Sequence, residues 1–274
     1  MSPVSRSLAA VVVDYHSGES LGECLRSLRA EGVDQIVVVE NSQDSLPAPL
    51  LEAVTLVRPG MNVGYGRGVN RGAARVEGEY LIVSNPDVVV HEGALEELCR
   101  ALDHDESTGI VGPRIRRPDG TVYPSHRVFP SIWLAGAHAL LAPWWPQNPA
   151  TRRYRSPRAD GTVDWVSGAF FVVRRSAFEE VGGFDESYFM FAEDMALCWR
   201  LGEAGWLVRA IDSAEVTHVE GVSRASAGRR MVVAHHVSAL RFEAQTSRGL
   251  RRALVPLAAL VLGLRLVVVL VRGA

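Results

Sequence analysis

The chain has 274 residues, 47% of them apolar, and a formal net charge of −2. It can bury a large α/β core, and it is neither a disordered chain nor a general nucleic-acid binder. Cys24, Cys99 and Cys198 are scattered without a CxxC pair, which excludes a disulfide framework or zinc site and suits a reducing, cytoplasmic compartment.

Leu8–Val13 is a short apolar run ending at Asp14; it predicts a strand, not a signal peptide. Ser20–Ala30 predicts a helix with Leu21, Cys24, Leu25 and Leu28 on one face. Ile36–Val39 is a second buried strand ending at Glu40-Asn41, and Val54–Val57 a weaker third. Val69–Val76 suits a helix, and Tyr80–Val83 a fourth strand ending at Ser84-Asn85-Pro86-Asp87. Gly93–Leu102 is an amphipathic helix and Gly109–Val111 a further strand. Apolar strands alternating with helices predict a mostly parallel sheet covered on both faces. Ligands of such sheets sit outside the carboxyl ends of the strands, where Asp14-Tyr15-His16, Glu40-Asn41 and Asn85-Pro86-Asp87 fall. Residues 118–162 are rich in Pro, Arg and Trp and predict a long surface excursion. A strand over Val163–Arg174, a helix opened by Glu193-Asp194 and a strand near Trp206–Ala210 follow.

Ala253–Val271 is a run of 19 almost entirely apolar residues behind Arg248, Arg251 and Arg252, about the length of a minimal membrane span. Arg265 costs about 2.5–3.5 kcal/mol near a bilayer centre but lies close enough to the end to snorkel. Two readings stay open: a membrane-contacting helix whose arginines favour anionic headgroups, or a buried core or oligomer helix.

Four segments carry the chemistry: VVVDYHSGESLGECLRSL at 11–28; VVVENS at 37–42; MNVGYGRGVNRGAA at 61–74, leading to LIVSNPDVVV at 81–90; and WVSGAFFVVRRSAFEEVGGFDESYFMFAEDMALCWRLGEAGW at 165–206, followed by THVEGVSR at 217–224. In order and spacing they resemble the inverting family 2 glycosyltransferases of the GT-A fold. The nearest look is to bacterial rhamnosyltransferase-like members that build cell-wall and surface polysaccharides. The resemblance covers roughly residues 8–225. It implies a GT-A domain over 1–225, with a nucleotide-binding half to about 112 and an acceptor and catalytic half over about 113–225. Residues 226–274 are then a helical extension, associated with the membrane.

Each position has a physical reading beside the implied one. Tyr15 can stack on a nucleotide base or serve as a core aromatic. Glu40, where relatives more often carry Asp, can accept a hydrogen bond from a pyrimidine imide or close a polar turn. Glycines 64, 66, 68 and 72 permit close backbone approach but lack the setting of a dinucleotide fingerprint; Asn62, Gly64 and Asn70 match the family's nucleotide-facing stretch. Asp87 matches the metal-binding acidic motif, with Asn85 where relatives often have Asp. His218 matches a histidine that completes the metal site in many relatives. The ion is Mn²⁺ or Mg²⁺, and imidazole suits Mn²⁺ better. Arg224 can neutralise a leaving diphosphate or be merely solvated. Trp165, Ser167, Gly168 and Glu193 match the acceptor side, and Glu193-Asp194 matches the acidic pair whose Asp is the base. An acidic pair opening a helix also complements the helix dipole. Ala196 replaces a further Asp of relatives.

The implied reaction is an in-line, inverting displacement with Asp194 as general base and no covalent intermediate. The expected donor is a nucleoside-diphosphate sugar, dTDP-rhamnose first. The expected acceptor is a glycan on a polyprenyl diphosphate, met on the inner face of the plasma membrane. A homo-oligomer is compatible with the sequence. The alternatives are a UDP-hexose or UDP-galactofuranose donor, a soluble acceptor, a non-catalytic nucleotide-sugar binder, and a dinucleotide-dependent oxidoreductase that the glycine placement disfavours.

Overall fold

The computed structural model describes residues 6–42, 46–47, 52, 54–129, 145, 149, 160–219 and 228–271. Strands β1 (Leu8–Asp14), β2 (Gln35–Glu40), β3 (Thr55–Val57) and β4 (Tyr80–Ser84) pair parallel in the order β3-β2-β1-β4. Helices α1 (Ser20–Ala30) and α2 (Tyr65–Ala73) fall between them. Next come β5 (Val88–Val90), α3 (Ala94–His104), β6 (Thr108–Arg116) and the two-residue strands β7 (Val122–Tyr123), β8 (His126–Arg127) and β9 (Trp165–Val166). The chain continues through β10 (Phe170–Arg174), α4 (Arg175–Glu180), α5 (Glu193–Glu203) and β11 (Leu207–His218). It ends with α6 (Gly228–Thr246), a 3₁₀ turn (Gly249–Leu254) and α7 (Val255–Val271).

The sheet has nine strands and is mixed. It is parallel through β4 and between β6 and β11, but β10 runs antiparallel between β4 and β6, and β5 antiparallel to β11. The expectation of a mostly parallel sheet holds for the first half only. A parallel neighbour needs a covering crossover. β10 meets β4 and β6 antiparallel, a pairing that needs no such crossover.

Alternation along β1 builds the layers. Ala10 and Val12 pack with Leu21, Cys24, Leu25 and Leu28 of α1 and with Leu95, Leu98 and Leu102 of α3. Ala9, Val11 and Val13 face Val69 and Ala73 of α2 and Leu197 and Leu201 of α5. Both faces of the sheet are therefore covered, and successive apolar residues are all buried. The Val163–Arg174 strand is broken: Ser167, Gly168 and Ala169 separate β9 from β10. β6 and β11 extend well past their apolar centres, because Arg114 and Arg116 on one strand pair with Glu215 on the other.

The glycines of α2 pack against protein. A Cβ on Gly72 would lie 2.5 Å from Val11 Cγ1, and one on Gly64 2.3 Å from the Phe189 carbonyl oxygen. α6 docks on the loop before α5 through Phe242, which joins Tyr188 and Ala196 in a small apolar cluster. The helical stretch Gly249–Val271 contains an 18-residue span with a mean hydropathy of 2.7, none of it buried within the chain; the reading as a buried core helix is corrected.

Candidate active site

The carboxyl ends of β1, β2 and β4 meet at one edge. Asp14 pairs with Glu40 in register, and the Asn85 N–H, just beyond β4, donates to the Ala169 carbonyl at 2.8 Å. β10 begins beside β4, with Phe170 opposite Ser84, so the Ser167-Gly168-Ala169 turn lies at the same edge. α5 points its N-terminus there. Phe191 and Ala192, just before it, have φ of 68° and 60°, a left-handed conformation that non-glycine residues adopt at a cost of about 1–3 kcal/mol each. This turn buries Glu193, 7% exposed, and leaves Asp194 partly exposed.

Two backbone donors hold Asp194. The Gly168 N–H donates to Oδ2 at 2.8 Å and the Met195 N–H to Oδ1 at 2.8 Å. Gly168 is fixed from its other side by the Tyr65 hydroxyl, which donates to its carbonyl at 2.5 Å. The carboxylate is thus oriented by peptides from two elements distant in sequence, each oxygen keeping a further lone pair for a substrate proton.

Burial raises the Glu193 carboxyl above the usual carboxylate range, and the charge of Asp194 raises it further. Glu193 Oε2 is buried with no hydrogen-bond partner among the described residues. Burial also raises Asp194, while the Gly168 and Met195 N–H groups and the Arg127 charge oppose the rise. Adjacent buried carboxyls do not both ionise readily. Glu193, raised to about 8, keeps its proton near neutral pH, while the Gly168 and Met195 N–H groups and Arg127 favour the ionised form of Asp194.

The signs follow from linkage. A carboxyl raised in the folded state contributes stability below its unfolded value, about 4.3 for Glu, and that stability is lost as pH rises through the folded value. Glu193→Gln is expected to flatten this loss in unfolding titrations between about pH 4 and about pH 8; an unchanged slope contradicts the assignment. The acid limb of kcat/KM is expected above the ordinary Asp value of about 3.9.

On the other side of the turn, Asp87 and His218 converge. His218 Nε2 lies 3.1 Å from Asp87 Oδ1 and 3.3 Å from the Asn85 amide. Both residues are largely buried, and His218 Nδ1 has no partner among the described residues. No group of three or more His, Cys, Asp or Glu side chains arranged to hold a metal occurs among the described residues. One carboxylate and one imidazole fit a divalent ion that takes its remaining ligands from diphosphate oxygens and water.

The other predicted residues divide. Tyr15 is partly exposed beside His16, ring centroids 4.4 Å apart. Glu40 is buried and accepts from the Ser42 N–H and hydroxyl at 2.6 Å each, with Arg58 at 3.8 Å. Asn62 Oδ1 accepts from the Gly64 N–H at 2.9 Å, while the Tyr65 N–H next to it donates to the Phe189 carbonyl at 3.1 Å. Asn70 spends both ends of its amide on the Phe184 backbone, at 2.8 and 2.9 Å. Gly64 and Asn70 therefore tie α2 to the loop before the base. Trp165 is buried with Nε1 unpartnered among the described residues. Ser167 Oγ accepts from the Ala169 N–H at 3.3 Å and shapes the turn. Arg224 lies outside the described residues.

Arg127 is the residue that sequence reasoning missed. Its guanidinium lies 5.3 Å from the Trp165 ring centroid and 6.0 Å from that of Tyr123, and its charge favours ionised Asp194. It sits in an Arg-rich stretch where nothing local distinguishes one arginine from the next.

The family model described as glycosyl transferase family 2 matches residues 10–182. The N-acetylglucosaminyl-diphospho-decaprenol L-rhamnosyltransferase of Mycobacterium tuberculosis is 41% identical, over 90% of this chain and 87% of that one. Rhamnosyltransferase WbbL of Escherichia coli K12 is 25% identical, over 76% and 81%. A mannosyltransferase from Pyrobaculum calidifontis, solved with GDP-Man and Mn²⁺, has a similar backbone: TM-score 0.62 at 15% identity, over 99% of this chain and 77% of that one. GalNAc-T7, solved with UDP, GalNAc and Mn²⁺, gives 0.58 at 14%, over 78% and 44%. With its GT-A-type fold and this family match, the chain belongs to glycosyl transferase family 2 and is a glycosyltransferase.

Proposed function

We propose that the enzyme transfers L-rhamnose from dTDP-rhamnose, with inversion, to a hydroxyl of N-acetylglucosamine carried on a polyprenyl diphosphate, in cell-wall assembly. The observation that carries the chemistry is the unequal carboxyl pair: a partly exposed Asp194 held by two peptide N–H groups beside a buried Glu193 whose Oε2 has no hydrogen-bond partner among the described residues. The substrate pair is supported by the name of the mycobacterial relative, whose likeness runs over most of both chains.

Asp194 accepts the proton of the acceptor hydroxyl as that oxygen attacks the anomeric carbon. The bond from that carbon to the diphosphate breaks on the opposite face, which inverts the centre. The Gly168 and Met195 N–H groups keep the carboxylate aimed through the step. Glu193, neutral and turned into the core, is not a second nucleophile, consistent with displacement in one step. Tyr15 and Glu40 are proposed to hold the nucleotide base, Trp165 and Ser167 the acceptor sugar, and Arg224 the leaving diphosphate. A divalent cation held by Asp87 and His218, Mn²⁺ by preference, supplies positive charge to that diphosphate when bound. His218→Ala is expected to raise the Mn²⁺ concentration for half-maximal rate at least about tenfold. An unchanged Mn²⁺ requirement would remove His218 from the site.

The enzyme is proposed to work at the inner face of the plasma membrane. α7 supports this: Leu257, Leu260, Val261, Leu264 and Val267 are all exposed, an apolar surface that suits lipid. The test of the reading is product identity. A panel of nucleotide sugars is offered with a polyprenyl-diphosphate N-acetylglucosamine, and the product is analysed by mass spectrometry and anomeric NMR. A rhamnosylated lipid from dTDP-rhamnose alone, with inverted configuration, is expected. Transfer from a UDP-sugar, or to a soluble glycan only, overturns the substrate assignment.

A further inference from the structure

We propose that α7 lies in the plane of the membrane, one face in a single leaflet and the other on α6, and does not cross the bilayer. This rests on the membrane-surface reading above and adds how the chain is seated there. The exposed apolar residues Leu257, Leu260, Val261, Leu264, Val267 and Val268 recur at three- and four-residue spacing. At about 100° per residue they fall within about 60° of one line along the helix. The half-buried residues Val255, Ala258, Leu262, Leu266 and Val269 fall on the opposite side, and α7 packs against α6. One apolar helix thus presents two faces with different neighbours.

Crossing would take α6 along. The 3₁₀ turn folds α7 back on α6, and α6 carries exposed Arg229 and Arg230 as well as Glu243, which pairs with Arg251 at 2.7 Å. Charged side chains are costly inside hydrocarbon. α7 is also short: its 17 residues rise about 25 Å, against about 30 Å of hydrocarbon. Arg265 is exposed about 100° round the helix from Leu264, the middle of the stripe. On that flank, a helix lying flat brings a guanidinium to headgroup level.

Lipid fits this face better than a second copy of the chain. Residues 249–271 contain Arg251, Arg252 and Arg265 and no Asp or Glu. Two such helices face to face would oppose cations with no acid between them, whereas an anionic leaflet supplies the countercharge. The seat reaches the active site because α6 is bound to the loop that leads into the base. Ser238 Oγ donates to the Met190 carbonyl at 2.8 Å, the Tyr188 hydroxyl donates to Gln245 at 2.5 Å, and Phe242 packs with Tyr188 and Ala196. A flat α7 therefore holds the Glu193-Asp194 end of α5 at a set distance from the headgroups, where a lipid-linked acceptor presents its sugar.

The test uses the full chain carrying Ala274→Cys, added to sealed vesicles of phosphatidylglycerol and phosphatidylcholine and treated with a membrane-impermeant maleimide. Cys24, Cys99 and Cys198 are buried, so the new thiol carries the signal. Full labelling of vesicle-bound protein without detergent is expected. Labelling that requires detergent means that α7 crosses, and overturns the proposal. Leu260→Asn/Leu264→Asn is expected to bind the vesicles at least about tenfold more weakly, since two leucines no longer transfer into lipid. Arg252→Gln/Arg265→Gln should weaken binding to the anionic vesicles and not to pure phosphatidylcholine. Unchanged donor binding in both variants shows that they fold. Equal vesicle binding by wild type and the leucine variant overturns the proposal. So does a wild-type dimer in sedimentation that the leucine variant breaks, with no binding to vesicles. Wild type that binds vesicles through the stripe yet turns over no donor leaves the seat standing and removes the proposed reaction.

Discussion

Asp194→Asn is expected to lower kcat by about 10²- to 10⁴-fold, the range a positioned general base contributes, while donor KM stays near wild type. The amide has no basic lone pair for the acceptor proton. It also turns an NH₂ toward one of the two peptide donors that the carboxylate satisfies, Gly168 N–H or Met195 N–H. Each contact is worth about 1–3 kcal/mol when one partner is left unsatisfied, so a modest drop in melting temperature should accompany the loss. Removing the negative charge also eases the pressure on Glu193, whose carboxyl should then titrate lower. Steady-state kinetics with thermal unfolding and donor binding on the same protein separate these effects. Near-wild-type turnover by a folded variant would mean that another group takes the proton.

Gly64→Ala is expected to destabilise the fold by about 3–5 kcal/mol and to disorganise the base loop. Gly64 has φ 89° and ψ 172°, a region open in practice to glycine alone. A Cβ there would lie 2.3 Å from the Phe189 carbonyl oxygen, which also accepts from the Tyr65 N–H. The methyl group must push Phe189 away, and Phe189 precedes the strained Phe191-Ala192 turn that sets Glu193 and Asp194. Calorimetric melting should fall by on the order of 10 °C, with kcat reduced as well. A melting point within about 2 °C of wild type would contradict the packing described.

The legible parts of this molecule are those encoded locally. Leu8–Val13, Ser20–Ala30 and Ile36–Val39 announce themselves by apolar runs and helical spacing, and they form the first strand, helix and second strand. The apolar pattern of Val163–Arg174 reads as one strand, yet it breaks at Gly168. The break is set by contacts to Asp194 and Tyr65, both remote in sequence. The N-terminal half of α2 is hidden by its glycines, poor helix formers that are tolerated because the sheet lies so close beneath them. The antiparallel entry of β10, the clamp of Asn70 on Phe184 and the position of Arg127 over the Trp165 ring all depend on long-range packing. Asp87, His218, Glu193 and Asp194 were identifiable as candidates through their motifs. That Glu193 is buried and Asp194 is held by two peptides is visible only in three dimensions.

The measurement that bears most directly on Asp194-dependent glycosyl transfer is acceptor-dependent release of nucleoside diphosphate from dTDP-rhamnose. Wild type and Asp194→Asn would be compared in Mn²⁺ with a polyprenyl-diphosphate N-acetylglucosamine. Release that needs the acceptor and falls by at least about 10²-fold in the variant is the predicted result. Release at equal rates in both proteins, or donor binding with no release in wild type, would contradict the assignment of Asp194 as the base.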